Sequence, residues 1–169
     1  DLPGAYSLNA ASLDEAVTRD LIRGFYPGEP APDLLVCVVD ATNLRLHLRF
    51  VLELRAVGKP MLVALNMADA AKRRGIQIDI EALQRELGVP VVETVAVRHD
   101  GARALVQQLD ATHGLVHEPR TQLPEHTGDR PADLHQETRR LLALTVSLPE
   151  RTAQIAAANA VAQSGQPAI

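Results

Sequence analysis

Met61-Leu62-Val63-Ala64-Leu65-Asn66-Met67-Ala68-Asp69 is the stretch on which the reading of this chain turns. Five apolar residues in succession predict a strand buried on both faces, the signature of a parallel sheet. In an open α/β sheet, ligands bind in the crevice beyond the carboxyl ends of such strands. Asn66 and Asp69 therefore stand where a ligand would be met. Working outward, Leu34–Val39 is a second unbroken apolar run, and Asp40 and Asn43 are expected to end that strand and cap the next helix. That helix is expected from Leu44 to Val57, with Leu44, Leu48, Val51, Leu52 and Arg55 on one face and Gly58 stopping it. Downstream come a short helix around Ala70–Arg74, a helix from Ile80 to Leu87 capped by Asp79 and closed by Gly88, a strand Val91–Val95 and a helix Ala102–Asp110. Strand alternates with helix three times, which predicts parallel pairing with right-handed crossovers.

Two short motifs sit on this frame. Asn66-x-x-Asp69 resembles the guanine reader of GTPases. A carboxylate has acceptors only, so Asp69 suits the N1–H and N2–H donors of guanine and is repelled by adenine N1. Asn66 offers an amide donor to N7 and a carbonyl to nearby backbone. A plainer reading also stands, in which Asn66 and Asp69 only cap the helix after the strand. Met67 either covers a purine face with its thioether or packs into the core. The chain opens Asp1-Leu2-Pro3-Gly4, which resembles the Asp-x-x-Gly turn that faces Mg²⁺ and the γ-phosphate, or forms an ordinary Pro-Gly β-turn. A four-residue pattern with two fixed positions arises by chance roughly once in a few hundred residues, so context has to supply the specificity.

The context is a resemblance. Asp1 to Leu8 (DLPGAYSL), Val38 to Leu44 (VVDATNL) and Leu62 to Asp79 (LVALNMADAAKRRGIQID) resemble the GTPase domain of the ferrous iron transport protein B (FeoB) family over about residues 1–110. That family commonly carries Met where Ras-like GTPases carry Lys, as at Met67. The resemblance implies a partial P-loop GTPase-type parallel sheet with helices on both faces, followed by a short helical tail. It implies GTP or GDP as ligand, with Asn66, Met67, Ala68 and Asp69 at the base. A third base-side element falls on Val95, Ala96 and Val97, where Ala96 offers its backbone N–H to guanine O6 although the usual Ser-Ala start is absent. Asp1, Leu2, Pro3 and Gly4 would lie at the phosphates, Asp1 holding Mg²⁺ through water and Gly4 sensing the γ-phosphate. Ala5 stands where Ras-like proteins carry a water-orienting Gln, so rapid unassisted hydrolysis is not expected. The helix opened by the capping-box pattern Ser12-Leu13-Asp14-Glu15, with Leu13, Ala16, Val17 and Leu21 recurring until Gly24, corresponds to the second switch.

No Gly-x-x-x-x-Gly-Lys-Ser/Thr pattern occurs in these residues, because Gly58-Lys59 is followed by Pro60 and preceded at the required distance by Glu53. The expectation is a fragment that would not turn over GTP alone. Its implied partners are a guanine nucleotide, an upstream phosphate-loop segment and a downstream membrane domain. The transporter would present this part at the cytoplasmic face of the bacterial inner membrane, the chain itself being soluble. The alternative is a non-enzymatic α/β interaction or regulatory module derived from a GTPase.

Composition narrows the remaining classes. Apolar residues make up 46% of 169, with two Phe, two Tyr and no Trp, so the core is aliphatic. A net charge of −4 with scattered Arg gives no basic stripe, which argues against nucleic acid. The single cysteine, Cys37, lies in an apolar run and reads as a small buried hydrophobe. The expected organisation is a partial GTPase domain over 1–111, a His-, Pro- and Gly-rich linker over 112–131, and the start of a helical domain over 132–169. In that last part Leu134, Arg139, Leu141, Leu142 and Val146 follow a helical pattern over Ala132–Ser147, and 151–163 is Ala-rich. His113 and His117 are four apart, a spacing that suits either one metal or a solvated linker.

Overall fold

The computed structural model describes residues 2–9, 12–113 and 131–148. Asp1, His117 and the Ala-rich stretch 151–163 lie outside the described residues. In chain order the elements are α1 (Leu13–Arg23), β1 (Leu35–Asp40), a 3-10 turn (Ala41–Asn43), α2 (Leu44–Ala56), β2 (Met61–Asn66), α3 (Ala68–Arg73), β3 (Gln77–Ile78), α4 (Ile80–Leu87), β4 (Val91–Glu93), α5 (Arg103–His113), α6 (Pro131–Thr145) and β5 (Val146–Ser147).

The three apolar runs pair as parallel neighbours in the order β1-β2-β4. β2 is central: Leu35 lies opposite Met61 and Asp40 opposite Asn66 on one side, and Val63 opposite Val91 on the other. Val63 and Leu65 join a core cluster with Leu48, Val51 and Leu52 of α2 and Leu83 and Leu87 of α4. Leu62 and Ala64 point to the opposite face of β2 and are equally buried, so the central strand is covered on both sides.

β1 departs from expectation. Leu35, Cys37 and Val39 are buried, whereas Val36 is 42% and Val38 60% exposed. An apolar run alone predicted two-sided burial, but β1 is the edge of this sheet and nothing among the described residues covers its outer face. Burial pushes the Cys37 thiol up to about 12, which leaves it an inert hydrophobe at neutral pH.

The α1 face also differs. Leu13 is 87% exposed, and the buried residues are Thr18 and Ile22. The helix packs through a narrow stripe set by the opening segment, since the Thr18 hydroxyl donates to the Pro3 carbonyl at 3.0 Å. Its cap is as read: Ser12 Oγ accepts the Glu15 amide, and Gly24 closes the helix in the left-handed region. Asn43 occupies the N-cap position of α2 but makes no side-chain cap bond, because Asp40 already turns the chain by accepting from the Thr42 amide and hydroxyl at 2.7 and 2.8 Å.

α6 packs on α2 and α4, with Leu141 fully buried in the same cluster as the sheet. Arg140 reaches Glu86 of α4 at 2.8 Å, and Arg55 of α2 donates to the carbonyls of Glu86 and Leu87 at the end of α4. The helix stops at Thr145, two residues short of the expected span, and Val146–Ser147 pairs antiparallel with Gln77–Ile78.

Candidate functional site

The carboxyl end of β2 feeds Asn66 into a tight turn. Met67 adopts φ 59°, ψ 29°, the one left-handed non-glycine among the described residues. An L side chain there costs on the order of 1 kcal/mol, and strain of this kind collects at ligand sites. Its side chain is 41% exposed, outside the core. The turn starts α3 at Ala68, with the Ala71 amide donating to the Met67 carbonyl at 3.0 Å.

Neither Asn66 nor Asp69 is the N-cap of α3; that position belongs to Met67. Asn66 instead ties two strands and a loop together. Its Oδ1 accepts from the Ala96 amide at 3.1 Å and from the Thr94 hydroxyl at 3.3 Å. β4 ends at Glu93 rather than Val95, and the Thr94 amide continues the ladder by donating to the Leu65 carbonyl at 2.9 Å. Beyond it, residues 95–101 close on themselves: the Val95 amide donates to the Gly101 carbonyl, and the Arg98 amide to the Val95 carbonyl, each at 2.9 Å. A Cβ on Gly101 would lie 1.8 Å from the Val95 carbonyl oxygen. Only glycine fits there.

Asp69 is 22% exposed at its side chain. Its Oδ1 accepts the neighbouring Ala70 amide at 2.9 Å, and its Oδ2 accepts from Arg73 at 2.7 Å and from Arg98 at 3.3 Å. The Arg73 hydrogen bond above all holds the Asp69 carboxyl below its ordinary value of 3.8, against a smaller opposing effect of burial. A depressed carboxyl pKa keeps the pair intact through neutral pH and loses it only as pH falls through the lowered value. Asn66, Asp69 and the segment Val95–Arg98 are thus brought to one place: an acceptor-only carboxylate beside an Asn whose side-chain amide has no partner among the described residues. That donor and acceptor set fits a 6-oxopurine. A cavity of about 260 Å³ lined by Ala41, Leu65, Ala68, Lys72, Ile76 and Glu93 adjoins these residues in sequence but includes none of them.

The opening segment is anchored elsewhere, on α1 and α2. The Ser7 hydroxyl and the Leu8 amide donate to Glu53 Oε2 at 2.9 and 2.6 Å, and Arg49 holds Glu53 Oε1 at 3.1 Å. The Tyr6 ring lies 5.8 Å from that of His47. Leu2 is packed against the core, and Gly4 is not at positive φ, so the Pro3-Gly4 pair does not make a type II turn. Among the described residues no group of His, Cys, Asp and Glu is arranged to hold a metal, and no helix is long and apolar enough to cross a membrane.

Sequence reasoning missed Thr94, Arg73, Arg98, Gly101 and Glu53. The Asp100-Gly101 dipeptide was the available turn signal for the loop, and Arg73 is four residues after Asp69, the spacing of a helical ion pair. Arg98 acts across a long sequence separation and carries no local signal, and although Arg49 stands a helical turn before Glu53, the bonds of Glu53 to Ser7 and Leu8 are equally long-range.

The chain is 41% identical over 110 residues to the Fe(2+) transporter FeoB of Salmonella typhimurium, an alignment covering 65% of this chain and 14% of that protein. The FeoB G-domain of Methanococcus jannaschii is 40% identical, with a TM-score of 0.57 over 69% of each chain. The mGMPPNP-bound NFeoB of S. thermophilus is 37% identical, with a TM-score of 0.59 over 68% of this chain and 42% of that one. The parallel sheet with its helices has the GTPase-domain fold of those neighbours. The model of the family described as ferrous iron transport protein B matches residues 1–109. Since that match takes in well over half of the sequence, the chain belongs to the ferrous iron transport protein B family.

Proposed function

We propose that these residues form the guanine-nucleotide-binding, base-reading portion of a ferrous iron transporter's GTPase domain. The observation that carries it is the joining of Asn66, Asp69 and the 95–98 loop at the carboxyl end of the central parallel strand, where α/β sheets take ligands. Asp69 would accept from N1–H and N2–H of guanine, the Asn66 amide would serve N7, Met67 would cover the purine face, and the backbone of Ala68 and of Val95–Val97 would line the base. Because the Ala96 amide already donates to Asn66, its reach to O6 would be shared with that bond. GDP or GTP is the ligand class, in keeping with the mGMPPNP bound to the S. thermophilus neighbour.

Asp1, with Leu2, Pro3 and Gly4, is the phosphate-side element of this reading, Asp1 holding Mg²⁺ through water. Mg²⁺ bound there would neutralise phosphate charge. The chain spans about 14% of the length of the curated relatives it matches, so iron uptake, the phosphate-loop segment, the membrane domain and a place at the cytoplasmic face of the inner membrane are proposed for the whole transporter. The expected linker 112–131 is trimmed at both ends, since α5 runs to His113 and α6 begins at Pro131; the residues between would connect the GTPase portion to the start of the family's helical domain, with the packing of α6 on α2 and α4 as its dock.

Asp69→Asn tests the reading. Xanthine offers an acceptor where guanine offers a donor, so with a family phosphate-loop segment fused before Asp1 the variant should weaken GDP binding and improve xanthosine diphosphate binding by isothermal titration. Losing one side of a charged, partly desolvated pair costs about 2–5 kcal/mol. An unchanged GDP affinity would remove Asp69 as the reader.

A further inference from the structure

Asp69 Oδ2 already has two partners. A carboxylate oxygen offers two lone pairs, and here both on Oδ2 are directed at guanidinium groups, Arg73 at 2.7 Å and Arg98 at 3.3 Å. On Oδ1 the Ala70 amide takes one, leaving one open among the described residues. Reading guanine through N1–H and N2–H needs a lone pair on each oxygen. One arginine must therefore leave Oδ2 when the base arrives.

The two are not equivalent. Arg73 is four residues from Asp69 on the same helix and makes the shorter bond, so helical geometry keeps it in place. Arg98 reaches over from the 95–101 loop with the longer bond, and its side chain is 64% exposed. The loop's backbone closes independently through Val95 and Gly101, so the Arg98 side chain can swing into solvent without opening the loop. We propose that Arg98 is a displaceable latch on the base site: its guanidinium occupies the Asp69 oxygen that guanine needs and must leave it for the base to bind, and it thereby sets affinity for 6-oxopurine nucleotides, while Arg73 is the positioning residue that keeps the carboxylate aimed. This rests on the base-reading role of Asp69.

The latch makes opposite predictions for two neighbouring arginines of similar exposure. Arg98→Ala removes a competitor and should tighten GDP binding by about two- to fivefold at low ionic strength, the range of an exposed ion pair. Arg73→Ala removes the holder and should weaken it. The gain from Arg98→Ala should shrink at high salt, because salt already loosens the exposed pair in the parent chain. Arg98→Gln, which keeps the stem and loses the charge, should follow Arg98→Ala.

The experiment is isothermal titration of the chain and its Arg98→Ala, Arg98→Gln, Arg73→Ala and Asp69→Asn variants with GDP, xanthosine diphosphate and ADP at low and high salt. Tighter GDP binding in both Arg98 variants, weaker binding in Arg73→Ala and closure of the gap with salt support the latch. Equal or weaker binding in the Arg98 variants, with Asp69→Asn still switching GDP to xanthosine diphosphate, overturns the latch and leaves the base reader standing. No base-dependent binding in any variant overturns both.

Discussion

Gly101 shows how one residue governs the candidate site from outside it. Its missing side chain lets the Val95 and Arg98 turns close, and that closure presents Ala96 to Asn66 and Arg98 to Asp69. In Gly101→Ala the new methyl would overlap the Val95 carbonyl oxygen, and because the obstacle is backbone, relief requires the loop to move. The expected cost is about 1–3 kcal/mol, as for other overpacked sites. GDP binding should fall more than that loss explains, since the Ala96 bond is broken as well. Urea unfolding together with titration separates the two effects, and a variant with parental stability and affinity would show that the loop is not held by this closure. Asn66 and Asp69 were legible in the sequence because a strand end and a four-letter motif coincide there. Gly101 and Arg98 were harder to see: what makes them matter is a loop folded back on itself and an ion pair between residues 29 apart.

At the scale of elements, legibility follows how local each cause is. β2 needed no correction, since an apolar run in the middle of a sheet is buried on both sides whatever its neighbours do. β1 carries the same kind of run, yet its exposure depends on what lies beside it, and that information is not in its own six residues. β5 exists only because Val146 and Ser147 meet Gln77 and Ile78, a pairing that helical periodicity over 132–147 does not reveal. The β1 edge has a consequence. Leu35–Val39 has no charged residue to discourage edge pairing, and Val36 and Val38 add exposed apolar area to backbone that pairs on one side only among the described residues. Val36→Lys with Val38→Lys leaves Leu35, Cys37 and Val39 facing the core untouched. The double variant should keep its circular dichroism spectrum and show less concentration-dependent self-association by ultracentrifugation. An unchanged association constant would place the sticky surface elsewhere.

The whole molecule joins the candidate site at the ends of β2 and β4, an opening segment fastened to α2 through Glu53, and α6 docked on the same core. Phosphoryl transfer asks for more than these parts: a cradle for the β- and γ-phosphates, a Lys on their oxygens, a Ser or Thr on Mg²⁺ and an oriented water. Of that set these 169 residues offer at most Asp1 and Gly4, and groups that stabilise the transferring phosphoryl contribute on the order of 10³–10⁵ in rate only when the rest is assembled. Purified chain with excess Mg²⁺-GTP should therefore release phosphate at background rate. A fusion placing a family phosphate-loop segment before Asp1 should raise the rate, and it should also cover the open edge of β1, so Val36 and Val38 should gain protection in the same protein. Both readouts matter, because activity without protection would mean that the added strand docks somewhere other than β1. Turnover by the unfused chain that is abolished by Asp1→Ala would overturn the account at this scale and show that another group has taken over the role of the phosphate loop.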